Sequence, residues 1–162
     1  MELLGVRLEV QANTPIVLLQ EAEGRRRVLP IYIGNNEAAA IAYALERVVP
    51  PRPLTHDLFR NVLEELGAAL ERVVVTELVE HTFYAELHLQ VAGAPLTVSS
   101  RPSDAIALAV RTGSPIFAEE GVLDEAGQET EVETPAEPAD QDILDEFRDF
   151  IENVNPDDFA SG

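Results

Sequence analysis

The sequence predicts an α+β domain, because strand segments of period two come in two groups, helical periodicity follows each group, and strands and helices do not alternate one by one as a doubly wound parallel sheet requires. In the first group Leu4, Val6, Leu8 and Val10 share one side of a period-two pattern, and Ile16 to Leu19 follows an Asn13-Thr14-Pro15 turn. Glu23-Gly24 then turns the chain into Val28 to Ile33, completing an antiparallel meander. From Asn35 the period becomes helical, with Ala38, Ile41, Ala42 and Leu45 on one stripe until Pro50-Pro51 ends it. A second helix is expected to start at Thr55 as N-cap, to run through Leu58, Val62, Leu63 and Leu66, and to stop at Gly67.

The second group, Val73 to Leu78, Thr82 to Val91 and Leu96 to Ser99, is punctuated by Glu80-His81 and by Gly93-Ala94-Pro95 and reads as another meander. Pro102 to Arg111 forms a short helix with Ile106 and Val110 inward and Gly113 at C′, Pro115 to Ala118 is briefly extended, and Glu119 to Ala126 adds a final helical turn or two. The compact part is therefore expected to be residues 1–126. Residues 127–140 are rich in Glu, Thr, Pro and Ala, a composition that cannot bury enough apolar area to offset chain entropy, and read as an acidic disordered linker. In 141–155 the residues Ile143, Leu144, Phe147, Phe150, Ile151 and Val154 recur with helical spacing on an acidic helix, and 156–162 reads as a tail. Such a face docks on its own domain or a sister subunit, or binds a protein partner in a groove; its acidic polar side speaks against a membrane.

The chain has 162 residues, no Cys, and a formal charge of −19, of which 16 acids against 10 Arg in 1–120 contribute −6 and 14 acids against one Arg in 121–162 contribute −13. Without Cys there is no disulfide, no thiolate metal site and no thiol nucleophile. No apolar run approaches a bilayer span and no signal-peptide pattern opens the chain, so the cytoplasm is the expected compartment. The acidity repels nucleic acid at long range, which leaves binding to local Arg clusters or a metal ion. Signatures for nucleotide hydrolysis, zinc proteolysis and serine hydrolysis are missing.

The polar residues at the helix starts are the candidates for chemistry. Glu37, Asp57 and Asp104 each sit in a first helical turn, where a carboxylate gains roughly 0.3–1 kcal/mol from the macrodipole. If they converge, they could hold Mg²⁺ or Mn²⁺ and activate water for phosphodiester cleavage. His56 is either a general base or metal ligand, or a cap; His81 and His88 are assigned to structure. Arg52 and Arg101 each precede a Pro that restricts their backbone, and each either binds phosphate or braces loops through a neighbouring acid. Arg25-Arg26-Arg27 reads as a solvated hairpin end.

Four segments, LPIYIGNNEAAAI at 29–41, RPLTHDLF at 52–59, FYAELHL at 83–89 and SSRPSDAIALAVRTGSPIFAEEGVL at 99–123, together resemble the bifunctional nuclease domain family, once a domain of unknown function found in small bacterial proteins and plant relatives. The similarity covers about residues 3–126, and the acidic linker and last helix are similar to its actinobacterial branch. The resemblance implies an α+β domain, homo-oligomers, and nuclease activity toward DNA and RNA. It places Glu37, Arg52, Thr55, His56, Asp57, Arg101, Ser103 and Asp104 at the family's characteristic polar positions. Two functional expectations follow: a metal-assisted phosphodiesterase in which Glu37, Asp57 and Asp104 hold the ion, His56 moves protons and Arg101 with Arg52 steadies phosphate; and a non-enzymatic regulatory or assembly module that recruits a partner through its C-terminal helix.

Overall fold

The computed structural model describes residues 1–9 and 13–129. The expected linker beyond 129, the helix over 141–155 and the tail over 156–162 lie outside them. Strands β1 (Glu2–Glu9), β2 (Thr14–Gln20) and β3 (Val28–Tyr32) form the expected antiparallel meander, in the order β1-β2-β3. Helices α1 (Asn35–Leu45) and α2 (Thr55–Glu65) follow. Strands β4 (Ala68–Val79), β5 (Thr82–Val91) and β6 (Ala94–Ser100) make the second meander, α3 (Pro102–Thr112) crosses back, and β7 (Ile116–Ala118) and α4 (Glu120–Ala126) complete the domain. The fold is α+β, as the grouping of periods predicts.

Two features depend on contacts distant in the chain. β7 pairs in parallel with β4, Val73 to Val75 against Ile116 to Ala118, giving the second sheet the order β6-β5-β4-β7. Val28 and Gln128 exchange backbone hydrogen bonds at 2.8 Å each way, so pairing continues past the expected end of the compact part at 126.

Local departures from the expected boundaries have simple causes. The β5–β6 turn is Ala92-Gly93, with φ of 49° and 83°, rather than Gly93-Ala94-Pro95. Pro95 sits within β6, an edge strand, where its missing N–H costs no ladder bond. The β4–β5 turn, Glu80-His81, has φ of 47° and 65°, the two left-handed residues of a turn matched to strand twist. β4 starts at Ala68, directly after Gly67, whose φ of 64° lets the chain leave α2. Leu54, not Thr55, is the N-cap of α2; its side chain carries no acceptor, and the Asp57 carboxylate accepts the Leu54 N–H at 3.0 Å.

α3 is the hub. It packs against α1, α2, β4 and β5, and Ala105, Ile106, Ala107, Leu108 and Ala109 are all buried. A helix apolar on nearly every side belongs inside a fold, and its small alanines allow neighbours to approach closely. Val17, Leu19, Leu29 and Ile41 are fully buried in the same core. Among the described residues no helix is long and apolar enough to cross a membrane.

The basic run of the β2–β3 hairpin corrects the expectation of a solvated end. Arg25 is exposed, but Arg27 is buried, its Nε and Nη2 donating to the Glu21 carboxylate at 2.9 Å each, Nη2 also to Glu120 at 2.7 Å, and Nη1 to Asp124 at 2.8 Å. Three carboxylates supply what water would otherwise supply to a buried guanidinium. Gly127 closes over this cluster, its missing Cβ leaving room for the Leu123 carbonyl and the Arg27 Cβ.

Candidate active site

Glu37, Asp57 and Asp104 occupy the same position, N3, of α1, α2 and α3, where Gly34, Leu54 and Arg101 are the N-caps. His56 precedes Asp57 in the first turn of α2. Because α1 and α2 both pack on α3, their N-terminal ends meet its N-terminus, and a cleft of ≈ 600 Å³ opens there between Glu37, Tyr43, Thr55, His56, Arg101 and Asp104. Residues distant in the chain thus share one concave surface.

Within it runs a continuous set of polar contacts. His56 Nε2 donates to Asp104 Oδ1 at 3.0 Å. Arg101 Nε donates to Asp104 Oδ2 at 2.7 Å and its Nη2 to Oδ1 at 3.1 Å. The same Nη2 reaches Glu37 Oε1 at 2.9 Å. A carboxylate can only accept, so Nε2 of His56 carries the proton facing Asp104, and in the neutral ring the lone pair lies on Nδ1. Three of the five guanidinium N–H groups of Arg101 are directed at carboxylates, and Nη1 has no partner among the described residues. Arg101 is 66 % exposed at its side chain against 14 % for His56, so the cation faces solvent while the imidazole is mostly enclosed. Glu37 folds back over its own N-cap, its Oε2 filling the space that a Gly34 Cβ would take.

Burial pushes the Asp104 carboxyl up, yet hydrogen bonds from Arg101 and His56 outweigh it and hold it below the usual carboxylate range. It is ionised at neutral pH and can stabilise a proton on His56. Arg101 is raised in turn by Asp104 and Glu37.

Asp57 does not join this set. Its Oδ1 accepts from Arg111 Nε at 2.6 Å and its Oδ2 caps Leu54, while burial opposes and these bonds enforce a lowered pKa. Arg111 stands two turns along α3 from Asp104, about 10 Å by helical rise, so the carboxylates of Asp57 and Asp104 serve different ends of the helix. Arg111, buried in the last turn of α3, was the missing partner, and only the basic residue near a helix C-terminus hinted at it. Arg52 is exposed and without a partner among the described residues; it does not line the cleft, although the next residue, Pro53, does. Thr55 lines the cleft as the first residue of α2, and Ser103 is buried in the first turn of α3. His88 is tied to Arg72 and Glu86 on the far face of β5.

Among the described residues no three of His, Asp and Glu stand where they could hold a metal ion together. The expected set of Glu37, Asp57 and Asp104 is split by the Asp57–Arg111 pair, and the other two already accept from Arg101. As placed, these donors do not fit a divalent cation, and the chemistry below is built from the side chains alone.

The sequence profile of the bifunctional nuclease domain matches residues 17–131. An uncharacterised protein of Mycobacterium tuberculosis is 45 % identical over 161 residues, which is 98 % of this chain and 96 % of the relative. Bifunctional nuclease 1 of Oryza sativa subsp. japonica is 27 % identical over 135 residues, 82 % of this chain but 41 % of the rice protein. Bifunctional nuclease 1 of Arabidopsis thaliana is 29 % identical over 115 residues, 69 % of this chain and 35 % of that protein, so the match spans less than half of either plant relative. With the profile covering the three helix N-termini, both sheets from β2 onward and the whole polar cleft, this chain belongs to the bifunctional nuclease domain family.

Proposed function

We propose that the protein hydrolyses phosphodiester bonds of nucleic acid at the cleft where the three helix N-termini meet. The observation that carries this reading is the unbroken set of contacts His56–Asp104–Arg101–Glu37, which joins a proton carrier to a cation with a free face. Arg101 is fixed by Glu37 and Asp104 so that Nη1 is left to donate to a phosphate oxygen, and the positive helix ends add to the field there. Arg52, directly before the cleft-lining Pro53, supplies a second cation to an incoming phosphate. His56 Nδ1 removes a proton from a water as its oxygen bonds to phosphorus, the departing sugar oxygen leaves with the P–O electron pair and takes up a proton from solvent, and His56 then returns its proton to solvent. Asp104 holds the imidazole in the required tautomer and stabilises its charged form, the role of the third member in a nucleophile–base–orienter set. The plant relatives' names support the reaction class.

The test is a cleavage assay on single-stranded and duplex DNA and RNA. His56→Ala is expected to lower kcat about 100-fold or more, and Asp104→Asn comparably, whereas Asp57→Asn keeps the wild-type rate per folded molecule. Unchanged cleavage by His56→Ala and Asp104→Asn would remove this site from the reaction. Divalent ions form a separate arm: Mg²⁺ or Mn²⁺ would have to release Arg101 from Glu37 and Asp104, so Arg101→Met should tighten Mn²⁺ binding measured by titration if an ion takes part.

A further inference from the structure

A second cleft, ≈ 370 Å³, lies on the other side of Arg101. Its walls are Tyr32 and Ile33 at the end of β3, His81 and Phe83 from the β4–β5 hairpin, and Pro102 at the start of α3. Tyr32 is 59 % exposed, an unusual amount for an aromatic ring at a strand end, and its hydroxyl has no partner among the described residues. His81 is exposed in the left-handed turn and is likewise unpartnered among the described residues. Nothing in the hydrolytic set uses these side chains. The two clefts meet at Arg101, which lines both.

We infer that this cleft receives an unpaired nucleobase whose adjoining phosphate is held at Arg101. The inference rests on the hydrolytic reading only for the phosphate; the base site stands on its own lining. Tyr32 offers an uncovered π face, Ile33 and Pro102 give apolar walls, and the His81 ring and Thr82 hydroxyl can meet the polar edge of a base. Stacking on an aromatic face needs no broad basic surface, which this chain of net charge −19 lacks. A base inside a duplex keeps both faces stacked and cannot enter, so the ligand class is single-stranded nucleic acid or an unpaired nucleotide within a loop or end.

The experiment titrates the full-length protein with adenosine 5′-monophosphate, ribose 5-phosphate and inorganic phosphate, following backbone amide shifts. Adenosine monophosphate should move the amides of Tyr32 and Thr82 and bind about tenfold more tightly than ribose 5-phosphate. Tyr32→Ala should abolish that difference and leave inorganic phosphate affinity unchanged. In cleavage of a single strand, the same variant should raise KM about tenfold at constant kcat, as should an abasic residue beside the scissile phosphate. Equal affinity for the two sugar phosphates, no binding of the nucleotide, or equal cleavage beside the abasic residue would overturn the inference. Base-dependent binding by a protein that cleaves nothing would instead overturn hydrolysis and leave the base site standing.

Discussion

The molecule contains two arginine–carboxylate clusters of similar composition and opposite character. Arg27, 4 % exposed at its side chain, is held by Glu21, Glu120 and Asp124; Arg101, 66 % exposed, is held by Glu37 and Asp104. Both guanidiniums are forked onto acids, yet the first spends every terminal nitrogen on the protein and the second keeps Nη1 free toward a cleft that also holds an imidazole. Burial makes the first a clasp between the β2–β3 hairpin and α4. Exposure at three helix N-termini makes the second available to a ligand. The Asp57–Arg111 pair belongs with the first kind, since Arg111 is buried as deeply as Arg27.

The comparison breaks most readily at the two arginines. Arg27→Met leaves three carboxylates facing one another without their cation and should lower the melting temperature by on the order of 10 °C. Arg101→Met, an exposed change, should shift it by less than about 2 °C while removing cleavage. Equal thermal shifts in scanning calorimetry would show that exposure does not separate the clusters. Next in size, Asp57→Asn loses the charged bond to Arg111 and should cost about 2 kcal/mol in denaturant melts. Preserved turnover in that variant would sharpen the assignment of Asp57 to the scaffold.

Acid should dissect the clasp. Hydrogen bonding from Arg27 outweighs burial and brings the Glu21 carboxyl down from its ordinary 4.5 to about 2. Its folded-state value is depressed, so its contribution is complete above about 4.5 and is lost as pH falls through about 2. Asp57 and Asp104 are lowered in the same direction. Denaturant midpoints should therefore fall on acidification across that window, and Glu21→Gln should flatten part of the slope; an identical slope would detach Glu21 from the effect. The smallest expected effect is at Gly34→Ala. Its φ of −78° suits any residue, so the fold is kept, but the new Cβ takes the place of Glu37 Oε2 and loosens the Glu37–Arg101 contact. Cleavage should drop a few-fold, on the order of 1 kcal/mol or less in activation free energy, with the melting temperature unchanged; full activity would mean that Glu37 does not position Arg101.

The sequence by itself determined the elements whose causes are local. Gly67 and Gly113 end helices because a left-handed φ acts within one turn, and the two meanders follow from period-two patterns joined by short turns, whereas α1 stops at Leu45, where Arg47 takes a φ of 55°, ahead of the expected stop at Pro50-Pro51. It also named His56, Asp104, Arg101 and Glu37, but in the same grammar as Asp57, since all three acids stand at N3 of a helix. Which of them would face a common cleft, that Arg27 would be buried by acids 93 and 97 positions away, and that β7 would lie parallel to β4 were decided only when α3 packed against β4, β5, α1 and α2 and the chain ends closed around them. A helix end is specified by a few neighbouring residues, whereas the direction in which its first-turn side chain finds a partner depends on the surfaces that the rest of the chain brings to it.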